Sequence, residues 1–276
     1  NNKRSKTKPT PHRLARLVVA HVDEWAGNRK RSRGKIKYGG RAKCKIWELA
    51  MARISSSTLF NFTDSIDHLV NNLKNGFYCH NTYEKLPLKN NGYRVPMACF
   101  CDIPLSLISE HFDWYGRYGI GIKRTYARQN GVKPVWYVTS ESNLVRNLVK
   151  NTDLSEYERK HLVPYLKQFI GNQQYKDGKE KRKKFYDERE WRYIPDNSLV
   201  ELYFGTKAQR EKTEAKQNGD RMKLDLNEVE YIIIEKETDF DRMIKELRTI
   251  ANKDEKLKFE SLIAKIMTAK QIERDF

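Results

Sequence analysis

From residue 57 onward the apolar positions switch repeatedly between two periods. STLFNF (57–62) alternates as a half-buried strand does and stops at Thr63-Asp64. In DSIDHLVNNLKNG the apolar residues Ile66, Leu69, Val70 and Leu73 fall on one face of a helix, with Gly76 placed to end it. VPMACFC (95–101) is an apolar run of strand type. DIPLSLISEHF (102–112) then predicts a helix, with Asp102 as its N-cap and Pro104 in its first turn. GIGIKR predicts a strand, TYARQNG a helix ending at Gly131, and PVWYVT a strand. SNLVRNLVKN and LSEYERKHLVPYLKQFIG read as helices, the second with an internal Pro164. KDGKEKRKK (176–184) reads as an exposed loop, EWRYIP as a strand, and 204–221 as a long polar connection. VEYIIIEKE predicts a buried strand and DFDRMIKELRTIANK an amphipathic helix; LIAKIM fits either period. Short interleaved strands and helices without a repeat predict an α+β fold with one main domain.

The first 50 residues are different in kind. They hold 15 Lys and Arg against 3 Asp and Glu, so only +6 of the net charge of +18 belongs to the remaining chain. A proline-broken tail, NNKRSKTKPTPHR, precedes a glycine-punctuated basic run, GNRKRSRGKIKYGGRAKCK, with LARLVVAHVDEWAG between them as a short amphipathic helix. The expected division is a basic N-terminal extension over 1–50, flexible or non-native, and a domain over 51–276. Met51 reads as a native start. Such a leader suits phosphate contacts, although basic arms are also often only solvating. No apolar run approaches the roughly 20 residues that span a bilayer, so neither a membrane partner nor a membrane location is expected, and the chain reads as cytoplasmic. Four cysteines are too few and too scattered for a disulfide framework.

Two stretches carry candidate chemistry. In CFCDIPLSLISEHFDWYGRYGIGI (99–122), Cys99 and Cys101 face one side of a strand, and Cys79, His80 or His111 could complete a zinc set. A lone C-x-C is weak, and two core thiols are the simpler reading, so no metal is expected. Gly116, Gly119 and Gly121 stand in the wrong order for a dinucleotide fingerprint and precede a strand. His111 reads as packed or capping rather than as a base. In FYDEREWRYIP (185–195), Glu188 and Glu190 are one residue apart and project to the same face of a strand end. Arg189 and Arg192 beside them favour ionisation. Fixed carboxylates of this kind hydrogen-bond ribose hydroxyls and stabilise a developing oxocarbenium ion. The same residues also read as a solvated strand of alternating charges. A nuclease reading finds only scattered triplets such as Glu214-Ala215-Lys216.

Two of these elements together resemble a known family. LFNFTDSIDHLVNNLKNGFY resembles the opening of DarT-like ADP-ribosyltransferases, and Glu188-x-Glu190 resembles the E-x-E signature of ADP-ribosyltransferases. FNFTDSIDHLVNNLKNG, PMACFCDIPLS, His111, YGRYGIGIKR, PVWYV and YDEREWRYIP more specifically resemble AbiGi, the phage abortive-infection family. The resemblance covers most of 57–276 and implies an ADP-ribosyltransferase-like fold and a bacterial, cytoplasmic anti-phage protein with NAD as substrate. Glu190 would be the catalytic carboxylate and Glu188 the acceptor-side one. Asn61, Phe62 and Thr63 would contact the nicotinamide end, with Tyr115 or Tyr118 stacking on the ring. Position 61 departs from the His or Arg common in such transferases. CFCDIPLS would then supply a core strand, and WYGRYGIGI the glycine-thinned wall of a nucleotide cleft. The acceptor would be nucleic acid, held by the leader and 176–184, or protein. AbiGi is also commonly described as the antitoxin half of a pair, which implies a cognate toxin as partner and a non-catalytic binding role.

Overall fold

Strand β1 (Thr58–Thr63) forms where the alternation predicts it, and the helix that follows, α1 (Ile66–Asn75), buries Leu69, Val70 and Leu73. Ser65 caps α1 by accepting from the His68 amide, and Gly76 ends it at φ 84°. The computed structural model of the chain describes residues 56–87, 91–150, 155–175, 178–198, 200–204, 219–254 and 257–276. The basic segment 1–50, the boundary near 51 and the Glu214-Ala215-Lys216 triplet lie outside these residues.

Strands β2 (Phe77–Tyr78), β3 (His80–Lys85) and β4 (Asn91–Cys101) follow α1. A 3-10 turn and helix α2 (Ser109–Tyr115) lead into β5 (Tyr118–Lys123) and α3 (Arg124–Gln129). Then come β6 (Lys133–Pro134), β7 (Trp136–Val138), α4 (Asn143–Lys150), α5 (Glu156–His161), β8 (Leu166–Gln168), β9 (Ile170–Gln174), β10 (Glu180–Lys184) and β11 (Glu190–Tyr193). The chain closes with β12 (Glu201–Phe204), β13 (Arg221–Met222), β14 (Val229–Ile234), α6 (Phe240–Ala251), α7 (Phe259–Ile263), β15 (Ile266–Thr268) and α8 (Ala269–Asp275).

Among the described residues nine strands form one sheet, in the order β15-β14-β5-β1-β4-β11-β6, with β3 and β12 also paired to the long β4. Its neighbours are antiparallel except β14 with β15. One face carries Leu59, Ala98, Phe100, Ile120, Ile122, Ile232 and Ile234 beneath α1 and α6. The other carries Phe60, Cys101 and Ile233 against α2 and α8, and Tyr93, Val95 and Met97 against β7 and β8. Full burial of a large aliphatic side chain such as Leu59, Leu69 or Ile122 contributes about 1.5–3 kcal/mol, so this two-sided core sustains the α+β domain.

One pairing departs from regularity and positions the site. β1 pairs with β5 along its whole length, from Thr58↔Lys123 to Thr63↔Tyr118, but meets β4 in register only at Phe60↔Cys101. Beyond that pair the Asn61 side-chain amide donates to the Cys99 carbonyl at 2.9 Å, in place of a ladder bond. Asn61 Oδ1 accepts in turn from Asn72 of α1 at 3.3 Å. On the other side of β1, the glycines of β5 make room for phenylalanine rings. A Cβ at Gly121 would lie 2.7 Å from the Phe60 ring, and one at Gly119 2.8 Å from Phe62. Their thinness serves core packing rather than the expected nucleotide wall.

Several elements differ from expectation for identifiable reasons. Asp102 is not a helix cap: Pro104 is extended, the following 3-10 turn has no side-chain cap, and α2 begins only at Ser109. The Asp102 carboxylate instead accepts from the Ser56 amide at 2.8 Å and pairs with Arg124 at 3.2 Å. The helix expected through Pro164 stops at His161, and 166–168 become a strand parallel to β7. Within 176–184, residues 180–184 form β10, paired antiparallel with β9, instead of a loop. LIAKIM divides between α7 and β15.

Gly116 ties the end of α2 to the end of β1. Its φ of 107° suits glycine, and a Cβ there would lie 2.2 Å from the Thr63 carbonyl oxygen. Gly116→Ala is expected to lower unfolding stability by about 1–3 kcal/mol, read as a lower urea midpoint at unchanged m-value. An unchanged midpoint would show that this junction is not constrained.

Candidate functional site

The departure of β4 from β1 leaves a cleft of about 1010 Å³, lined by the β1 end, α1, β3, β4, α2, the β9–β10 hairpin and the start of β11. Glu188 and Glu190 enter it from a tight turn. Glu188 ends a 3-10 turn, Arg189 takes a left-handed conformation at φ 46°, and Glu190 opens β11 opposite Cys101. Arg189 is the non-glycine residue with positive φ among those described, and such strain concentrates at functional sites. The expected shared face is achieved, but by this kink rather than by strand alternation.

Both carboxylates are buried, Glu188 at 3% exposure and Glu190 at 6%. Their counter-charges come from elsewhere in the chain. Lys167 of β8 lies 2.5 Å from Glu190 Oε2, 3.2 Å from Glu188 Oε2 and 3.8 Å from Glu84 Oε1. Arg192, fully buried, reaches Glu190 at 2.6 Å and Glu84 at 3.1 Å. It also donates to the Tyr93 hydroxyl and, at 2.8 Å, to the Pro164 carbonyl. Lys183 of β10 is 2.6 Å from Glu188 Oε1 and 3.2 Å from the Tyr115 hydroxyl, which itself donates to Glu188. Three carboxylates, Glu84, Glu188 and Glu190, thus face three cations, Lys167, Lys183 and Arg192. Of the two arginines expected to favour ionisation, Arg192 pairs with Glu190; the two lysines and Glu84 had no recognisable motif.

Burial opposes ionisation of Glu190, but Arg192 and then Lys167 outweigh it and hold the carboxyl well below the usual range. Glu188 is likewise held down against burial, first by Lys167. Burial would discharge Lys167, yet Glu190, Glu84 and Glu188 push it well above the usual lysine value. Burial lowers His111 from 6.5 to about 4, so its ring is neutral at pH 7. His111 is 7% exposed, lines the cleft, and its Nε2 has no hydrogen-bond partner. His111 is packed, as expected, against Phe62 and Tyr115, with ring centroids 6.4 and 5.7 Å away.

Asn61, Phe62, Thr63 and Tyr115 line the same cleft as the two carboxylates. Tyr118 does not. Its hydroxyl donates to Asp239 at 3.0 Å and to Glu235 at 3.3 Å, and its ring packs in the core beneath α1 and α6. Tyr115 joins the ion cluster through its hydroxyl, and the Lys183 ammonium stands 4.6 Å from its ring centre. Cys99 and Cys101 are strand thiols in β4, and burial pushes both well up. No group of three or more metal-binding side chains occurs among the described residues. No helix among them is long and apolar enough to cross a membrane.

Removing Lys167 would leave the buried Glu188 with Lys183 alone among the cations, and the buried Glu190 to share Arg192 with Glu84. Lys167→Met is expected to cost about 3–5 kcal/mol of folding stability at pH 7, measured by urea denaturation. A cost below about 1 kcal/mol would show that the ammonium does not hold the cluster. Acid should act in two stages. His111 resists protonation in the folded chain, so its contribution is complete above 6.5 and lost as the pH falls towards 4. Glu188 and Glu190 contribute above the ordinary value of 4.5, and their contribution is lost below it. His111→Gln is expected to flatten the stability profile between pH 7 and pH 4 by about 3 kcal/mol. A variant profile parallel to wild type would contradict this assignment.

Comparison with known proteins places the site in a family. The family model described as "Putative abortive phage resistance protein AbiGi, antitoxin" matches residues 78–235, a span that includes Glu84, His111, Lys167, Lys183, Glu188, Glu190 and Arg192 but not β1. An abortive phage resistance protein AbiGi from Lactococcus lactis subsp. cremoris is 35% identical over 147 residues, which cover 44% of this chain and 58% of that protein. The aligned part therefore spans less than two thirds of that relative's length. No solved structure matches the chain. With the matched span running from β2 to the end of β14 and taking in the whole ion cluster, the chain belongs to the AbiGi family of abortive phage resistance proteins.

Proposed function

We propose that this chain acts in abortive phage resistance by transferring ADP-ribose from NAD to a macromolecule, with the cleft between β1 and β4 as the transfer site and an ADP-ribosyltransferase-like use of the split sheet. One observation carries the reading. Glu188 and Glu190, Tyr115, and the Asn61–Thr63 end of β1 come from three separate stretches and line one cleft. At about 1010 Å³ it stands at the upper end of small-molecule sites, in keeping with a dinucleotide. His111 Nε2 and Gln173 Oε1 are buried polar atoms of its lining without partners, the condition expected where a polar ligand completes the hydrogen bonding.

NAD would supply a ribosyl group whose bond to nicotinamide breaks with the electron pair leaving on the nicotinamide. The chain's contribution is a carboxylate already ionised and fixed. Glu190 faces no reorganisation as positive charge develops on the ribose, because Arg192 and Lys167 hold both of its oxygens. The balanced cluster also avoids presenting excess negative charge to a pyrophosphate. The β9–β10 hairpin exposes Lys179, Lys181, Arg182 and Lys184 beside the cleft, which would suit a nucleic-acid acceptor, and the basic composition of residues 1–50 would by itself suit one too.

The family description favours a second reading. An antitoxin would bind a cognate toxin, and the cleft would then be a structural cluster or a partner's docking site. The two part at Glu190. Adenylate-labelled NAD is incubated with a bacterial lysate and either wild-type protein or Glu190→Gln, and label is followed into nucleic acid and protein. Transfer by wild type and a loss of at least about a hundredfold in the variant is the expected result. No label from either protein, with phage resistance retained by Glu190→Gln, would favour the antitoxin.

A further inference from the structure

Glu188 is poorly suited to take a proton from an incoming acceptor. Its Oε1 accepts from both Tyr115 and Lys183, and its Oε2 faces Lys167 at 3.2 Å. Its charge is spoken for at each oxygen, which weakens it as a base. Glu190 is no freer, with Arg192 on one oxygen and Lys167 on the other. The tyrosine hydroxyl beside them is a donor held by a carboxylate. None of these groups offers an acceptor atom free of an ionic or hydrogen-bonding partner.

His111 does. It sits on α2, one turn before Tyr115, and its ring lies between Phe62 and Tyr115 in the cleft wall. It is more than nine-tenths buried, and Nε2 has no partner. An unpartnered buried ring nitrogen is destabilising unless a ligand meets it. The charged groups close enough to act on the ring are Glu188, Lys183 and Lys167. Glu188 favours an imidazolium; the two lysines and burial oppose it. At neutral pH the ring is therefore neutral, and in the tautomer with its proton on Nδ1 it can accept another at Nε2. Burial and the lysines make it a weak base too, so what sets it apart from Glu188 is its unpartnered nitrogen.

We propose that His111 is the proton acceptor of the transfer step, taking through Nε2 the proton of an acceptor that carries it on oxygen or nitrogen. The inference rests on the NAD-dependent reading above. The bond from ribose C1′ to nicotinamide breaks, and its electron pair leaves with neutral nicotinamide. The acceptor's lone pair forms the new bond to C1′, its proton passes to Nε2, and the imidazolium returns that proton to solvent. A base is needed for a hydroxyl or a ring N–H and not for a carboxylate already ionised. The acceptor is thus assigned to the protonated class, which includes base and sugar positions of nucleic acid and excludes Asp and Glu side chains.

The test separates nicotinamide release from transfer. Wild type, His111→Gln and Glu190→Gln are each given adenylate-labelled NAD, with and without bacterial lysate. Free nicotinamide, label in macromolecules, NAD affinity by calorimetry and melting temperature are measured. His111→Gln is expected to keep NAD affinity and nicotinamide release within about threefold, and to lose transfer by about a hundredfold or more. Glu190→Gln is expected to lose both. In His111→Ala, added imidazole should restore part of the transfer without altering NAD affinity. Transfer by His111→Gln at the wild-type rate overturns the proposal alone. So does a parallel loss of release, affinity and transfer with no imidazole rescue, which would mark His111 as purely structural. Wild type that neither binds NAD nor releases nicotinamide overturns the NAD-dependent reading and this proposal with it.

Discussion

A lysine ammonium removed from water survives only where carboxylates surround it, and the three glutamates around Lys167 tie together four separate parts of this chain. Glu84 comes from β3, Lys167 from β8, and Glu188 and Glu190 from the turn into β11, with Lys183 of β10 closing the cluster. Each ion alone would carry a penalty of several kcal/mol for leaving water. Together they are balanced in number, and each faces at least one opposite charge. Arg192 adds the Tyr93 hydroxyl and the Pro164 carbonyl to the same network. The cluster holds the hairpin and the 3-10 turn against the sheet, where apolar packing would have filled the cleft.

That trade has a consequence for chemistry. A cleft closed by hydrophobic side chains has no fixed charges to offer a reaction, whereas this one is lined by carboxylates whose ionisation and orientation are set before any ligand arrives. The same rigidity limits what each carboxylate can do. Committed oxygens can stabilise charge but are weak proton acceptors, and that division of labour directs attention to the neutral His111 beside them. The β1–β4 departure supplies the space. Asn61 spends its amide on Cys99 and accepts from Asn72, so it keeps the gap in shape from the β1 side.

The elements legible in the sequence were those with a strong apolar pattern. α1 and α6 bury one face against the core, and β1, β5 and β14 bury residues on both faces of the sheet, so their apolar positions stand out in the residue order. Glu188 and Glu190 were legible as a pair because they are neighbours in sequence. Their partners were not. Lys167 lies in VPYLKQF, where the apolar spacing imitates a helix, and only the pairing of 166–168 with β7 reveals a strand. β10 is charged on both faces, so EKRKK shows no alternation, although Lys183 points inward and its neighbours outward. Glu84 belongs to HNTYEK, whose pattern likewise has no apolar stripe. Asp102 had the local signature of a cap, but the extended Pro104 moved the helix start away and left the carboxylate to Ser56 and Arg124. Tyr118 was adjacent in sequence to the cleft wall and faces the opposite side of the sheet. Local pattern reports burial well and reports ionic partners across the fold hardly at all.

The most direct measurement is a crystal structure of the protein grown with NAD at saturating concentration. The account predicts NAD within the cleft, its nicotinamide ribose against Glu190 and its reacting carbon open to His111, with the Lys167 contacts unchanged. NAD bound elsewhere on the surface, or a cleft that holds none although calorimetry shows NAD binding, would contradict the claim that this cluster is a transfer site.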